Sequence, residues 1–226
     1  SYIGVFEETA TKYLLKYFSI IFLNKINSIN YLMEVEIKEK TELPKIPEEF
    51  RDVFVNFRNN YKAKLFLKGK WIENEDVMEI ISPIDENSLC YASVISIEQL
   101  NESIEFLNST QKEFRKIPAN KRVEMLENAS KIMEHFKDFI IEILVLEGGK
   151  PYKEAEGEVN ASIERLKLAY QDLGRIIDKA IAGEQAKGSE KKFGIIVREP
   201  LGVVAVITPF NYPLFTPIAK IVASFV

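Results

Sequence analysis

The chain has 226 residues, of which 46% are hydrophobic and 28% charged, and its formal net charge is -4 at neutral pH. This composition is that of an ordinary soluble protein with enough apolar residues for a core, in one large domain or two small ones. The mild acidity argues against a nucleic-acid surface, which needs clustered Lys and Arg. The chain has one cysteine and one histidine, which excludes both an intrachain disulfide and a His/Cys zinc site. The lack of an intrachain disulfide fits a reducing cytosol.

Residues 1–32 differ in character from the rest of the chain. Their apolar part, Tyr13–Leu23, is interrupted by Lys16 and is too short to span a bilayer. Acidic residues near the start stand where a secretory signal would carry positive charge. From Met33 onward the sequence becomes acidic and proline-bearing. Two interpretations stay open: Met33 is the natural start, or residues 1–32 form an amphipathic helix that binds a membrane surface or a partner.

The next part predicts an arm, a short helix and a group of strands. Residues 33–47 are expected to be extended, because their two prolines oppose helix. Apolar residues share one helical face between Glu48 and Asn59 and predict a short helix there. A hairpin is predicted where Leu65–Leu67 and Trp71-Ile72 flank a turn containing Gly69. Two more runs read as strands, namely Val77–Ile81 and Leu89–Val94.

Three helices follow, each with clear end signals. The first begins at Ser96, with Gln99 three residues later in a capping-box arrangement. The second follows Pro118 and stops at the glycine pair 148–149, a strong C-terminal signal. The third opens at Pro151 and ends near residue 174. The apolar residues at helical spacing are, in order, Ile97, Leu100, Ile104, Leu107 and Phe114; Val123, Leu126, Met133, Phe136, Ile140 and Ile143; and Ala155, Val159, Leu166 and Leu173.

The C-terminal part predicts a hairpin and then a strand–loop–helix unit. Ile176-Ile177 and Phe193–Val197 are expected to pair across a polar, turn-rich segment. Residues 203–207 form an apolar run without alternation, which is typical of a strand buried on both faces of a parallel sheet. Apolar residues at helical spacing follow from Ile218. We therefore expect the first unit of a doubly wound sheet.

The turn between that strand and helix, Thr208–Pro213, holds two prolines, two aromatic residues and Asn211. In open α/β sheets, ligands bind beyond the carboxyl ends of the strands, which is where this turn lies. A side-chain amide there is placed to donate hydrogen bonds to an oxygen that gains negative charge. The alternative is that Asn211 is simply a good turn residue.

Residues 200–214, PLGVVAVITPFNYPL, resemble the signature segment of the aldehyde dehydrogenase superfamily. Further matches come in the same order as in that family and extend the resemblance over roughly residues 62–226. They are the hairpin with Gly69 and Trp71, the helix with Arg122 and Leu126, and the segment Glu147-Gly148-Gly149-Lys150-Pro151 with Glu154-Ala155 and Glu158-Val159 after it. The residues Glu164–Ala169 and Arg198–Phe215 are most similar to the archaeal-type non-phosphorylating glyceraldehyde-3-phosphate dehydrogenases.

The resemblance implies a fold, a reaction and a set of site residues. The fold is α/β, the N-terminal part of an aldehyde dehydrogenase. Its parts would be an extension and arm (1–61), a helical part of the cofactor-binding domain (62–175), a subunit-bridging hairpin (176–199) and the first, incomplete strand–loop–helix of the cofactor sheet (200–226). In the family a cysteine thiolate attacks an aldehyde, NAD or NADP takes the hydride, and water releases the acid, here 3-phosphoglycerate from glyceraldehyde 3-phosphate. By position, the implied roles are oxyanion binding by Asn211, cofactor contact by Ile207, Thr208, Pro209 and Phe210, and substrate binding by Tyr212 and Arg165.

The chain departs from the family pattern because the family's nucleophile, general base and remaining cofactor residues lie downstream of the matched segment. Cys90 sits in an apolar, strand-like context and is expected to be a small buried hydrophobe rather than the nucleophile. His135 and Lys220 are expected on helix surfaces. Lys150 is expected to act electrostatically at a helix C-terminus.

Three explanations of this departure compete: a truncated dehydrogenase, one half of a split enzyme, and a non-catalytic helical oligomerisation or binding module. We favour truncation, because the last helix reaches Val226 without a cap and its strand lacks neighbours. The expected partners are a small aldehyde and either further copies of the chain or a missing C-terminal portion, with no nucleic acid and no membrane, in the cytoplasm. A semialdehyde or lactaldehyde is the alternative substrate.

Overall fold

A computed structural model of the chain describes residues 41–226, apart from residues 177 and 186. The predictions for residues 1–32, for most of the arm and for Ile177 lie outside the described residues. Within the described part the elements are β1 (Phe54–Phe57), β2 (Asn60–Ala63), β3 (Leu65–Leu67), β4 (Lys70–Ile72), β5 (Val77–Ile81), β6 (Ser88–Ser93), α1 (Ile97–Phe114), α2 (Ala119–His135), α3 (Lys137–Gly148), α4 (Tyr152–Lys167), β7 (Lys179–Ala182), β8 (Phe193–Ile196) and α5 (Phe215–Phe225). Short 3-10 helices cover Glu48–Phe50, Leu168–Arg175 and Gly183–Gln185. In this part of the chain no helix is both long and apolar enough to cross a membrane.

A four-stranded sheet, in the order β1-β2-β6-β5, forms the N-terminal layer. β1 and β2 pair antiparallel around Arg58 and Asn59, whose φ angles of 51° and 61° are those of a two-residue left-handed hairpin turn. β2 runs parallel to β6, and β5 runs antiparallel to it. The predicted helix over Glu48–Asn59 is therefore wrong. β1 pairs with β2 alone, its neighbour in the chain, and the left-handed turn at Arg58 and Asn59 makes this hairpin possible. A contact with a distant strand also holds β1, because the ring of Phe57 packs 5.0 Å from that of Tyr91 on β6.

The other N-terminal predictions are confirmed. β3 and β4 form the expected hairpin, with Lys68 and Gly69 at φ angles of 50° and 82° in its turn. The two further strands are β5 and β6, which pair with a register shift between Ile80 and Ile81. Glycine suits such a turn because positive φ carries no steric penalty without a Cβ atom.

Helix α1 begins as predicted. The Ser96 hydroxyl accepts from the backbone N–H of Gln99 at 3.2 Å, and the Ser96 N–H donates to the Gln99 side chain at 3.0 Å. This reciprocal pair is a capping box. Most of the apolar stripe of α1 is exposed, with Ile97 at 65%, and none of its side chains is buried. Phe114 at the end of the stripe packs 4.9 Å from the ring of Phe225 on α5.

The predicted second helix is two helices in the structure, α2 and α3. The backbone leaves the helical region at Phe136, with φ -99° and ψ 17°. This turn places the rings of Phe136 and Phe139 at 4.8 and 5.7 Å from Phe50. It also allows both α2 and α3 to pack on α4. Tertiary packing therefore decided the break, and the predicted end of α3 at Gly149 (φ 62°) is confirmed.

The main core lies between α2, α3, α4 and α5. Its fully or nearly fully buried side chains come from all four helices and from the turns beside them: Val123, Leu126, Ala129, Met133, Ile141, Leu144, Ala155, Val159, Ile163, Leu166, Ala169, Leu214, Ile218, Val222 and Val226. Burial of these apolar surfaces is the main force that holds α5 against α4. α5 is therefore firmly docked, which gives the turn before it a rigid support.

The C-terminal hairpin is present, with its first strand three residues later than predicted. β7 and β8 pair antiparallel from Lys179 opposite Ile196 to Ala182 opposite Phe193. Every residue of both strands is exposed, Phe193 at 69% and Ile195 at 64%. Nothing in the described part of the chain covers this hairpin.

Residues 203–207 do not form a strand in the structure. Their backbone makes no hydrogen bond with other described residues, and Ile207 is 93% exposed. A strand exists only where a neighbouring strand supplies hydrogen bonds, and the described residues supply none here. The helix of the predicted strand–loop–helix unit is confirmed as α5.

Candidate functional site

The predicted site lies on the turn that leads into α5. Asn211 is exposed, as are Phe210 at 59% and Tyr212 at 51%. Leu214 at the end of the turn is 1% exposed and belongs to the core. The Asn211 amide therefore lies on accessible surface beside the N-terminal end of a docked helix. A polar reactant can approach it there.

Glu158 on α4 binds the start of α5. Its Oε1 accepts hydrogen bonds from the backbone N–H groups of Leu214 at 2.9 Å and Phe215 at 3.0 Å. The first N–H groups of a helix lack partners within the helix, and α5 has no side-chain cap of its own. A carboxylate also suits the positive end of the helix dipole. Glu158 thus caps α5 from a neighbouring helix, with its own side chain fully buried.

Lys150 completes this arrangement. Its ammonium pairs with Oε2 of Glu158 and lies 4.5 Å from the centroid of the Tyr212 ring. Gly149, in the left-handed conformation, ends α3 and turns the chain so that Lys150 reaches Glu158. The lysine side chain is only 13% exposed. The expectation of a helix C-terminal role for Lys150 is thus replaced by a specific ion pair and a cation–π contact with the turn.

Glu158 and Lys150 both lie in segments that resemble the family, but the sequence predicts no role for Glu158. A signal was present in the pattern of α4. Glu158 lies between Ala155 and Ser162 on the buried stripe of that helix, and all three are buried. A carboxylate on an otherwise small and apolar stripe needs a partner, because burying an unpaired charge is costly. The partners, two N–H groups 56 and 57 residues away, were visible only in the tertiary structure.

Arg165 is engaged elsewhere. Its Nη2 lies 2.5 Å from Oδ2 of Asp172, whose other oxygen pairs with Arg175 at 3.0 Å. The Asp172 side chain is 7% exposed and that of Arg165 is 21% exposed. A buried carboxylate depends on such partners, so Arg165 has a structural role in this part of the chain. Its predicted contact with substrate stays a prediction.

Cys90 is confirmed as a buried hydrophobe. It is 4% exposed and packs in a small cluster with Ile80 and Ala92. Burial, together with the nearby Glu147 carboxyl group, raises the pKa of the Cys90 thiol to about 12. The thiol is therefore protonated at neutral pH and cannot act as a nucleophile there. Burial likewise raises the pKa of Glu147 on α3 to about 8.

Two other expectations are confirmed, and no metal centre emerges. His135 and Lys220 are both exposed on helix surfaces. No group of three or more His, Cys, Asp or Glu side chains that could hold a metal ion occurs in the part of the chain that the structure describes.

Residues 207–210 fit contact with a ligand through their backbone. The backbone N–H groups of Ile207, Thr208 and Phe210 donate to no other described residue, and Ile207 and Phe210 are exposed. Backbone polar groups are normally paired in a folded protein, so this stretch can bind either a ligand or a neighbouring strand. The geometry is thus compatible with the predicted cofactor contacts of Ile207, Thr208, Pro209 and Phe210.

Comparison with known proteins identifies relatives over most of the described part. The family model "Aldehyde dehydrogenase family" matches residues 71–226. A lactaldehyde dehydrogenase from Methanocaldococcus jannaschii is 33% identical over 150 residues, which are 66% of this chain and 31% of that protein. An NADP-dependent glyceraldehyde-3-phosphate dehydrogenase from Nicotiana plumbaginifolia is 30% identical over 179 residues, which are 77% of this chain and 36% of that protein.

Solved structures give the same result. The structure of an NADP-dependent glyceraldehyde-3-phosphate dehydrogenase from Bacillus halodurans C-125, complexed with NADP, superposes with a TM-score of 0.67 at 30% identity. The superposition covers 73% of this chain and 35% of the other. The chain thus spans about a third of the length of the relatives that it matches.

Proposed function

Because this chain belongs to the aldehyde dehydrogenase family, we propose that it supplies the N-terminal part of the cofactor domain of an NAD(P)-dependent aldehyde dehydrogenase. The observation that carries this proposal is the exposed Asn211 on a turn anchored at its end by Leu214 and by the Glu158 cap on α5. Such an enzyme oxidises an aldehyde to a carboxylic acid. The chain spans about a third of its relatives, so the complete reaction belongs to a longer polypeptide or to an assembly.

The chemical role proposed for Asn211 is oxyanion stabilisation. When a thiolate adds to an aldehyde carbon, negative charge gathers on the carbonyl oxygen. A pre-oriented amide N–H that donates to this oxygen lowers the barrier, and such a donor contributes a factor of about 10²–10³ in rate. The thiolate must come from outside this chain, because its single cysteine is buried and protonated at neutral pH.

We propose NADP or NAD as the cofactor, which would supply the hydride acceptor. The proposed contacts are Ile207, Thr208, Pro209 and Phe210. The backbone N–H groups of the three residues other than proline donate to no other described residue. The bound NADP in the Bacillus halodurans relative supports this proposal.

For the substrate we propose glyceraldehyde 3-phosphate, with Tyr212 lining the aldehyde pocket. Support comes from the similarity to two NADP-dependent glyceraldehyde-3-phosphate dehydrogenases. Lactaldehyde and malonate semialdehyde are the competing substrates, because dehydrogenases for these aldehydes are 33% and 31% identical to the chain. Arg165 would have to exchange Asp172 for a phosphate group in order to bind the substrate.

A chimeric enzyme tests the proposal. Residues 41–226 replace the corresponding third of the Bacillus halodurans enzyme, and NADPH formation is followed by absorbance with each of the three aldehydes. We expect Asn211→Ala to lower kcat by about 10²–10³. Asn108→Ala, at an exposed position on α1, is the matched control. An Asn211→Ala chimera that keeps kcat within a few-fold of the parent would refute the oxyanion role.

The isolated chain provides an independent check. It should show no NADP reduction with any of the three aldehydes, since it brings no reactive thiolate. Measurable turnover by the purified 226-residue protein would mean that a nucleophile has been overlooked.

A second candidate function, an assembly module without catalysis, is favoured by the fully exposed hairpin of β7 and β8. Exposed apolar residues on paired strands commonly mark contact surfaces. In that case light scattering should find a discrete oligomer that Ile195→Lys dissociates. If the chain is not an assembly module, we expect no oligomer of defined size that this substitution dissociates.

A further inference from the structure

We propose that Glu158 and Lys150 are positioning residues, which hold the turn before α5 in one conformation and thereby aim the Asn211 amide. This inference rests on the proposed oxyanion role of Asn211. Glu158 and Lys150 would act through the turn and would contact neither the aldehyde nor the cofactor.

Glu158 is the point where three parts of the molecule meet. It belongs to α4, its Oε1 binds the backbone N–H groups of Leu214 and Phe215, and its Oε2 binds Lys150. The side chain is fully buried, so water does not compete for these bonds. Two N–H groups bound to one oxygen fix the direction in which the chain enters α5. The turn is therefore anchored at its C-terminal end, three residues after Asn211.

Lys150 anchors the turn at a second point, nearer to Asn211. Its ammonium lies 4.5 Å from the centroid of the Tyr212 ring, and Tyr212 directly follows Asn211. With only 13% of its side chain exposed, this cation relies on Glu158 for a partner and has little freedom to move away. Tyr212 is itself 51% exposed, so packing restrains it less than it would a buried residue. Cation and ring together restrict the residue next to the amide.

The alternative to a positioning role is a structural one, in which the ion pair stabilises the docking of α5 and does not affect Asn211. The two side chains separate these roles, because they contact different atoms. Lys150→Met removes the charge over Tyr212 but leaves the Glu158 oxygen on Leu214 and Phe215. Glu158→Gln keeps an oxygen acceptor for the helix but removes the negative charge that holds Lys150. If the pair positions the turn, both variants disturb Asn211.

The experiment is NMR spectroscopy of the 226-residue chain with ¹⁵N-labelled asparagine and ring-labelled tyrosine. Signals of Asn211 and Tyr212 are assigned by their loss in Asn211→Asp and Tyr212→Phe. We expect a single side-chain amide signal pair for Asn211 in the parent, and shifted or multiple signals in both Lys150→Met and Glu158→Gln. Lys150→Arg should keep the signals of the parent, because a guanidinium can also form both the ion pair with Glu158 and the cation–π contact with Tyr212.

The matched control is Glu156→Gln. Glu156 lies on α4, as Glu158 does, but it pairs with Lys137 on α3 instead of the turn. It should leave the Asn211 and Tyr212 signals unchanged. Hydrogen exchange adds a second readout: Lys150→Met should keep the protection of the Leu214 and Phe215 amides, and Glu158→Ala should lower it at least about tenfold. Protection of the Leu214 and Phe215 amides also shows whether each variant keeps α5 docked, and Lys150→Arg, which keeps a cation beside Glu158, provides a second variant that does not leave a buried charge unpaired.

Parent-like Asn211 signals in Lys150→Met would overturn the proposal, even if the Tyr212 ring signals move. Failure of the proposed function gives a different result, since the NMR readout does not involve catalysis. In that case the turn still responds to Lys150→Met, whereas Asn211→Ala leaves kcat of the chimera unchanged. If both inferences hold, Lys150→Met lowers the kcat of the chimera, and Lys150→Arg keeps kcat near that of the parent.

Discussion

The partly buried Glu147 at the end of α3 predicts an unusual dependence of stability on pH. Its carboxyl group has a pKa of about 8 in the folded protein, against an ordinary value of 4.5, because burial disfavours the charged form. The folded state therefore binds more protons than the unfolded state between these two pH values. The contribution of protonated Glu147 to the free energy of unfolding is fully present below pH 4.5. It is lost as the pH rises toward and through about 8.

The size of the effect follows from the width of that window. One proton over about 3.5 pH units, at about 1.4 kcal/mol for each unit, gives an upper limit of about 5 kcal/mol. Because Glu147 is only partly buried and its surroundings can relax, we expect roughly half of this, about 2–3 kcal/mol between pH 5 and pH 8. The carboxyl groups of Glu98, Glu134 and Glu190, whose pKa values are lowered, titrate below this window, and the Cys90 thiol titrates above it.

Urea unfolding followed by circular dichroism at pH 5, 6, 7 and 8 measures this slope. Glu147→Gln stays neutral throughout, so its stability should match that of the parent at pH 5 and exceed it by about 2–3 kcal/mol at pH 8. Glu142→Gln, at an exposed position on the same helix, should keep the slope of the parent. Equal slopes for the parent and Glu147→Gln would refute the reasoning.

Three further predictions concern single side chains. Cys90 should resist iodoacetamide in the folded protein at pH 8 and react after unfolding, since burial keeps it protonated; fast modification of the native protein would contradict this. Leu126→Ala, at 0% exposure in the core, should lower the free energy of unfolding by about 2–5 kcal/mol. Leu107→Ala, at 38% exposure on α1, should lower it by less than about 1 kcal/mol, and similar losses for the two leucines would show that the core is misplaced. Ser96→Ala should cost about 0.5–2 kcal/mol through loss of the α1 cap, and an unchanged urea midpoint would mean that the cap does not form.

The sequence predicts the turn that carries Asn211 but not the side chains that support it. The turn with Asn211 could be located because its two prolines interrupt an apolar run, and such a turn has a characteristic place beyond a strand. The support beneath it could not be located, because Glu158 is separated from its helix-capping partners by 56 and 57 residues. Local pattern shows that a buried carboxylate needs a partner, but not which backbone groups provide it.

The sequence by itself determined those features of the fold whose causes lie within a few residues of each other. The capping box at Ser96, the left-handed Gly149 and the turn at Gly69 depend on local hydrogen bonds and allowed φ angles, and all three are confirmed. The tertiary structure alone decided the break at Phe136, where two rings pack on Phe50, and the place of the β1–β2 hairpin in a sheet, where β2 pairs with β6. There, contacts between residues far apart in sequence outweigh small local preferences, which amount to less than about 1 kcal/mol per residue. For the same reason residues 203–207 have strand-like sequence but no strand, since a strand forms only with a partner beside it.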